Sequence, residues 1–173
     1  MAVPENDDHV VASFFEIGAD YGRSQITALA RLNGQPVGIW ANNCRYLAGA
    51  MTALGARKAR RFIEFCETFH LPIVCFVDEP GFMIGSVAEH EGTIRDGTAT
   101  VLTASLSTVP WASVVVRRSF GVAQAAHYGQ DAYVLAWPSA EMGPLPVEGG
   151  VAVAYHREIA AAPDPEARRA ELE

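Results

Sequence analysis

Two short apolar runs, each followed by a glycine-containing loop, restrict most strongly what this chain can fold into. The first run spans residues 72–77 and leads into residues 78–85, where Pro and Gly force the backbone to turn. The second run spans residues 112–116 and leads into residues 117–123, which contain one glycine. Both runs are rich in β-branched residues and have the length of buried strands. Two parallel strands that each release a glycine loop at the carboxyl end form a place where a ligand can bind.

The size and charge of the chain limit its partners. Its 173 residues are enough for one domain with a hydrophobic core, and half of them are apolar. The net charge of −7 argues against a nucleic-acid partner, because phosphate binding needs a basic surface. No apolar run has the length of a membrane span, and the acidic N-terminus does not read as a signal peptide. We expect a protein with neither a nucleic-acid nor a membrane partner.

The three cysteines do not predict a disulfide or a metal site. Cys44, Cys66 and Cys75 are odd in number and widely spaced, which fits neither a disulfide framework nor a CxxC motif. Free thiols in a cytosolic protein are the expected reading. The apolar neighbours of Cys66 and Cys75 indicate that these two are packing residues.

The remaining pattern alternates strands and helices and predicts an α/β layer fold. Residues 25–32 and 36–41 read as two strands of a hairpin, because Asn33-Gly34 between them is a strong signal for a two-residue turn. Apolar residues at helical spacing predict a helix over residues 56–70. This antiparallel pair followed by a helix differs from a plain βαβ unit. The other predictions are a third strand candidate at 132–137, a loop at 141–150, and helices at 90–107, 122–128 and 149–162.

Two further expectations concern the N-terminal residues and the burial of the helix at 90–107. Residues 1–13 read as a flexible arm that precedes a single domain over residues 14–173. The second half of the helix at 90–107 is apolar nearly all round, which predicts that it is buried.

The glycine turn at Gly121 is the strongest site candidate. If Val122 and Ala123 open a helix, their backbone N–H groups lack intrahelical partners and point outward. The positive end of the helix dipole reinforces these donors, so an oxyanion or a polarised carbonyl would bind there. The alternative is an ordinary turn between a strand and a helix, with no ligand.

Side chains offer fewer candidates for catalysis. The chain has no GxSxG, HExxH, P-loop or GxGxxG motif. Asp78 and Glu79 follow a core strand and read either as an acid and base pair or as caps of the loop. Four basic residues near the start of the helix at 56–70 read as a solvated face or as a patch for anions; they are Arg57, Lys58, Arg60 and Arg61. The histidines are scattered and are expected at the surface or as caps; they are His9, His70, His90, His127 and His156.

Several ordered segments of the chain carry a resemblance to a known family, and they are RLNGQPVGIWANN, KARRFIEFCETFHLPIVCFVDEPGFMIG, RRSFGVAQA, LAWPSAEMGPLPVEGGVA and AAPDPEARR. In these segments the chain resembles the carboxyltransferase β subunit of biotin-dependent acyl-CoA carboxylases, the propionyl-, methylcrotonyl- and acetyl-CoA carboxylase family. The resemblance covers nearly the whole chain and matches only the C-terminal half of such a subunit.

The resemblance implies a crotonase-like fold of ββα units and a carboxyl transfer from carboxybiotin to the α-carbon of an acyl-CoA, with no metal. It places the oxyanion hole at the N–H groups of Val122 and Ala123. It implies a biotin-binding surface formed by Phe120, Gly121, Pro80, Gly81 and Phe82. The implied partners are a biotin carboxyl carrier domain, the N-terminal carboxyltransferase domain, a biotin carboxylase subunit and further copies in a trimer or hexamer. The implied location is cytoplasmic.

The chain departs from the family at the turn, and two alternatives stay open. Many members carry Gly-Gly-Ala where this chain has Gly121-Val122-Ala123, and the stretch after it is a few residues shorter. One alternative is a self-sufficient crotonase-like decarboxylase or hydratase of acyl-CoA that uses Asp78 or Glu79. The other is a non-catalytic assembly module. Without the acyl-CoA half, the expected activity of this chain is close to zero.

Overall fold

One seven-stranded sheet organises the part of the chain that the structure, a computed structural model, describes, which is residues 13–173. Its strands are β1 (Phe15–Glu16), β2 (Gln25–Leu32), β3 (Gln35–Asn42), β4 (Ile73–Glu79), β5 (Trp111–Phe120), β6 (Tyr133–Ala136) and β7 (Glu141–Gly143). The helices are α1 (Ala53–Thr68), α2 (Ser86–Glu91), α3 (Thr93–Ser105), α4 (Val147–Ala154), α5 (His156–Ala161) and α6 (Pro165–Leu172). Two 3₁₀ segments are Leu47–Gly49 and Val122–His127. The predicted arm at residues 1–13 lies outside the described residues except for Ser13.

The strand order brings three loops to one edge of the sheet. The order is β1-β2-β3-β4-β5-β6, with β7 beside the end of β5. The first three strands pair antiparallel, whereas β3, β4, β5 and β6 are parallel neighbours. The loops that follow β3, β4 and β5 therefore leave from the same edge. The predicted α/β fold with an antiparallel pair before the first long helix is confirmed.

The β2–β3 hairpin forms as the Asn-Gly pair predicts. Leu32 lies opposite Gln35, and the register continues without a break to Gln25 and Asn42. Asn33 has φ 49° and Gly34 has φ 81°, so both turn residues are left-handed, as a type I′ turn requires. The turn thus fixes the register of the two strands, which places Trp40 and Ile39 on opposite faces of the sheet.

Helix α1 covers the face of the sheet that carries Trp40 and Val77. Thr52 caps its start, where Oγ1 accepts a hydrogen bond from the N–H of Gly55 at 3.0 Å. Four residues of the predicted apolar stripe are buried in the main core, which are Ala59, Phe62, Ile63 and Cys66. The fifth, Phe69, lies just beyond the end of the helix and is 61% exposed, so the prediction is wrong for this residue. Cys75 is also buried in this core, so the prediction that Cys66 and Cys75 are packing residues is confirmed.

The predicted helix at 90–107 is divided, and its expected burial is wrong. Gly92 adopts φ 82° between α2 and α3, a left-handed conformation that ends one helix and begins the next. Helix α3 lies in an outer layer against α1, so only one of its faces is covered. Thr100 and Ala104 are buried on that face, whereas Leu102 is 59% and Leu106 67% exposed.

The C-terminal part contains more breaks than the sequence pattern suggested. The predicted loop at 141–150 includes β7, which extends the sheet beside Arg118–Phe120. The predicted helix at 149–162 is two helices, α4 and α5, that meet at Tyr155. Strand β6 is the edge of the sheet, and all four of its residues are exposed. No helix within residues 13–173 is long and apolar enough to cross a membrane.

Candidate carboxyltransferase site

The turn after β5 presents two backbone donors. Gly121 has φ 64° and ψ −160°, a conformation that a residue with a side chain adopts only with strain. Its own N–H donates to the carbonyl oxygen of Gly143 at 3.1 Å. The predicted helix begins at Val122 and has the 3₁₀ form. Across residues 13–173, no acceptor is paired with the N–H of Val122 or that of Ala123.

An open depression of about 590 Å³ lies beside this turn; its lining is Gly121, Val122, Gln124, Met142, Gly143 and Pro144. The two predicted donors differ in access, because Val122 is 63% exposed and Ala123 is fully buried. The Gln124 amide fixes one side of the depression by donating to the carbonyl of Gly143 at 3.2 Å. The depression can therefore admit a ligand oxygen to the Val122 side of the turn.

The loop Pro80-Gly81-Phe82 follows β4 at the same edge of the sheet. Gly81 has φ 131°, and its carbonyl accepts a hydrogen bond from the N–H of Met51 at 3.1 Å. The Phe82 ring packs into the main core and against Gly97 of α3. The ring therefore faces the protein interior, and all three residues of the loop are half-buried.

Glu79 is completely buried, and each of its carboxylate oxygens has a protein donor. Oε1 accepts a hydrogen bond from the N–H of Gly81 at 2.9 Å. Oε2 accepts from Nδ2 of Asn42 at 3.0 Å and lies 3.1 Å from Nε2 of His127. The carboxylate is thus fully engaged, which weighs against its use as an acid or base towards a substrate.

His127 is buried, so the prediction of a surface or capping role is wrong for this histidine. Its ring stacks on Trp40 with centroids 4.2 Å apart, and Nδ1 lies 3.3 Å from Sγ of Cys75. In the tautomer that carries its proton on Nε2, the ring donates to Glu79 and Nδ1 accepts from the thiol. Burial raises the pKa of Cys75 well above its usual range, so this sulfur stays a neutral thiol.

Asp78 is held by two arginines of β5, a strand that continues through residues 117–120, where the sequence predicted a loop. Both of its oxygens accept from Nε of Arg117, at 3.2 and 3.0 Å, and Oδ1 also accepts from the N–H of Arg118. The thiol of Cys44 donates to Oδ2 at 2.8 Å. Burial, followed by this contact with Asp78, raises the pKa of Cys44 to about 11. Asp78 therefore joins β4 to β5, whereas Glu79 caps the loop that follows β4.

The four basic residues of α1 do not form a single patch. Lys58 is buried and donates to the carbonyl of Gln25 at 2.7 Å, and burial lowers the pKa of its ammonium group. Arg57 pairs with Asp96 at 2.7 Å, and Arg60 lies 3.6 Å from Glu64. Arg61 alone is exposed without an ion pair within residues 13–173.

Comparison with known proteins identifies the family to which this chain belongs. The family described as the carboxyl transferase domain matches residues 5–173. The chain belongs to the carboxyl transferase domain family. Its relatives include the carboxyltransferase subunit of propionyl-CoA carboxylase from Haloferax mediterranei, 40% identical over 164 residues that make up 92% of this chain and 32% of that subunit. Another is the methylmalonyl-CoA carboxyltransferase 12S subunit of Propionibacterium freudenreichii subsp. shermanii, 41% identical over 91% of this chain and 31% of the relative.

Solved carboxyltransferases share the fold. The crystal structure of transcarboxylase 12S, described as a hexamer with methylmalonyl-CoA bound, superposes with a TM-score of 0.86 at 39% identity over 95% of this chain and 32% of that one. The β subunit of geranyl-CoA carboxylase from P. aeruginosa gives 0.83 at 24% identity over 93% of this chain and 31% of that one, which shows the fold alone. The crotonase-like fold is therefore confirmed. This chain spans about a third of the length of the carboxyl transferases it matches.

Proposed function

We propose that this chain is the C-terminal, biotin-side domain of an acyl-CoA carboxylase carboxyltransferase. In this proposal the whole enzyme moves a carboxyl group from carboxybiotin, carried by a biotin carboxyl carrier domain, to the α-carbon of an acyl-CoA. Carboxybiotin supplies the carboxyl group, and the α-carbon of the acyl-CoA gives up a proton in exchange. The proposal is supported by family membership and by the geometry of the turn after β5.

The observation that carries the proposal is the pair of unpaired N–H groups at Val122 and Ala123 beside an open depression. Backbone donors fixed in this way stabilise negative charge as it develops on an oxygen, and they need no reorganisation. In the proposed site the N–H of the exposed Val122 binds the ureido oxygen of biotin, and the N–H of the buried Ala123 adds to the positive potential behind it. Gly121 provides the turn that aims them, and Phe120 ends the strand below. We assign the Pro80–Phe82 loop, which leaves the same edge of the sheet, to the same biotin-side surface.

An exposed apolar surface on the chain is the basis for the proposed partners. The edge strand β6 and the residue after it present large apolar side chains to solvent, which are Tyr133, Val134, Leu135 and Trp137. Such a surface is characteristic of an interface. We assign it to assembly with an N-terminal carboxyltransferase domain within a homo-oligomer, a trimer or hexamer that also recruits a biotin carboxylase subunit. Because the acyl-CoA half belongs to that N-terminal domain, turnover requires the assembled enzyme.

Calorimetric titration of this chain with a biotinylated carrier domain tests the proposal. We expect binding by the wild type and binding about tenfold weaker for Val122→Pro, which deletes one donor. Proline is tolerated at the first position of a helix, so the fold should survive the change. Val122→Ala is the matched control, because it trims the same side chain and keeps the N–H. Equal affinities of the proline and alanine variants, or no binding by the folded wild type, would contradict the proposed site.

A further inference from the structure

We infer that Glu79 and His127 are positioning residues that hold the Pro80–Phe82 loop and the 3₁₀ segment Val122–His127 in fixed relation to each other. Neither side chain touches the surface, so neither can contact a ligand. Their effect on the site is exerted through the two loops that they connect. The inference rests on the proposed function, since it concerns the geometry of the same biotin-side surface.

The connection is a continuous chain of hydrogen bonds between the loops. It runs from the N–H of Gly81 to Oε1 of Glu79 at 2.9 Å and from Oε2 to Nε2 of His127 at 3.1 Å. Gly81 belongs to the first loop, and His127 is the last residue of the segment that begins at Val122. One carboxylate therefore binds both loops, and it does so where water is excluded, which makes an unmade bond costly.

The Glu79 side chain is also held by the neighbouring strand β3. Asn42, the last residue of β3, donates to Oε2 of Glu79 at 3.0 Å and accepts from the N–H of Asp78 at 3.0 Å. The carboxyl ends of β3 and β4 thus meet at the Glu79 carboxylate. A group with three fixed donors and no exposure has little freedom to move, so its position defines where the loops lie.

The 3₁₀ segment is fixed at its far end by both parts of His127. The carbonyl oxygen of His127 accepts from Oγ of Ser113 at 2.7 Å and from Nε1 of Trp111 at 3.1 Å. The ring bonds Glu79 on one side and meets the thiol of Cys75 on the other. Because the segment has only six residues, the placement of His127 sets the direction in which the Val122 and Ala123 donors point.

A pair of substitutions at one position separates this role from general stability. The amide nitrogen of glutamine reaches about as far as Nε2 of histidine, whereas that of asparagine reaches only about as far as Nδ1. His127→Gln should keep a donor on Glu79 and bind the biotinylated carrier within about twofold of the wild type. His127→Asn should bind about tenfold more weakly, because the carboxylate loses its link to the segment.

Amide hydrogen exchange gives a readout that needs no ligand. In His127→Asn the Gly81 amide should exchange faster, and the Val122 and Ala123 amide resonances should shift, whereas His127→Gln should resemble the wild type. Cys75→Ala is the control for lost packing, because it removes the contact at Nδ1 and leaves the Glu79 link in place. If His127→Asn does not fold, Glu79→Gln serves instead, since it keeps the volume and weakens the same link.

The outcomes distinguish the two proposals. If the wild type binds and His127→Asn binds equally well, the positioning inference is overturned and the biotin-side site stands. If the wild type does not bind, the proposed function fails. In that case the hydrogen-exchange data by themselves decide whether His127 is a positioning residue. If His127→Asn leaves the Gly81 exchange rate and the Val122 and Ala123 amide resonances unchanged, the positioning inference is overturned.

Discussion

Gly97 of α3 and the ring of Phe82 lie so close together that no side chain fits at Gly97. A Cβ atom at this position would be 2.2 Å from Cε1 of the ring and 2.5 Å from Cζ. Alanine is usually better than glycine inside a helix by about 1 kcal/mol. At Gly97 the close contact with the Phe82 ring opposes that preference. The lack of a side chain at this position lets the loop that follows β4 pack against α3.

We expect Gly97→Ala to lower the free energy of unfolding by about 1 kcal/mol, because overpacking costs about 1–3 kcal/mol and exceeds the gain in helix propensity. Urea denaturation measures the change. Combining it with Phe82→Leu should relieve the clash, so the double variant should be less destabilised than the sum of the two single ones. Additive effects would show that the ring does not rest on Gly97.

Gly121 should resist substitution for a different reason. The nearest atom to a Cβ there is the carbonyl oxygen of Pro144 at 3.7 Å, so space is available, but φ is 64°. We expect Gly121→Ala to destabilise the chain by about 2 kcal/mol, because a side chain at φ 64° and ψ −160° costs about 1–3 kcal/mol. Gly150→Ala in α4 is the control, because nothing lies near its Cβ; it should stabilise by about 0.5 kcal/mol. Thermal denaturation of both variants is the measurement.

The parts of the fold that depend on neighbours in sequence were predictable. Asn33-Gly34 specifies its hairpin through backbone conformation alone, and the stripe of α1 shows its buried face directly. The sequence did not predict the 3₁₀ form of the segment after Gly121, the short strand β7 or the break at Tyr155. The first two involve contacts with distant residues, such as the hydrogen bond from the N–H of Gly121 to the carbonyl of Gly143.

The role of His127 was missed because its partner Glu79 lies 48 residues away. One signal in the sequence pointed towards it. Cys75, Val77 and Glu79 alternate along a strand, so Glu79 shares a face with two core residues. A carboxylate on a buried face needs a buried donor, and a histidine beyond the next strand is a suitable one. Which histidine it is cannot be read without the topology.

Glu67 should make stability depend on pH. It joins the end of α1 to the segment before β5 by accepting from Ser107 Oγ at 2.8 Å and from the N–H and hydroxyl of Thr108. The Thr108 hydroxyl contributes most to lowering the pKa of this carboxyl below its ordinary value of 4.5. Since the folded-state pKa is the lower one, the stabilisation is complete above the ordinary value and is lost as the pH falls through the lowered one.

Glu67→Gln should therefore melt at a lower temperature than the wild type near neutral pH, and the difference should shrink as the solution is acidified. Thermal denaturation over a series of pH values tests this expectation. Glu64→Gln is the control on the same helix, because its carboxylate makes only an exposed contact with Arg60 at 3.6 Å. A difference between Glu67→Gln and wild type that grows on acidification would contradict the sign.

Cys44 should react slowly with thiol reagents although it is exposed. A pKa of about 11 leaves little thiolate at mildly alkaline pH, and the thiolate is the reactive form. Asp78→Asn removes the negative charge beside the sulfur and should accelerate modification. The rate of disulfide exchange with an aromatic disulfide reagent measures this, and Cys44→Ser identifies the labelled site. Cys66 and Cys75 are buried and should stay unmodified in the folded chain. An unchanged rate in Asp78→Asn would show that burial alone sets the reactivity.

Within residues 13–173 no strand pairs with the outer edge of β6, and this open edge makes the solubility of the chain depend on salt. An unpaired edge with apolar side chains is a template on which another copy can align its own strand. The net charge of −7 opposes such encounters, because copies of like charge repel one another. Added salt shortens the range of that repulsion and leaves the apolar attraction intact. Low ionic strength should therefore keep the chain dispersed, and concentrated salt should bring its edges together.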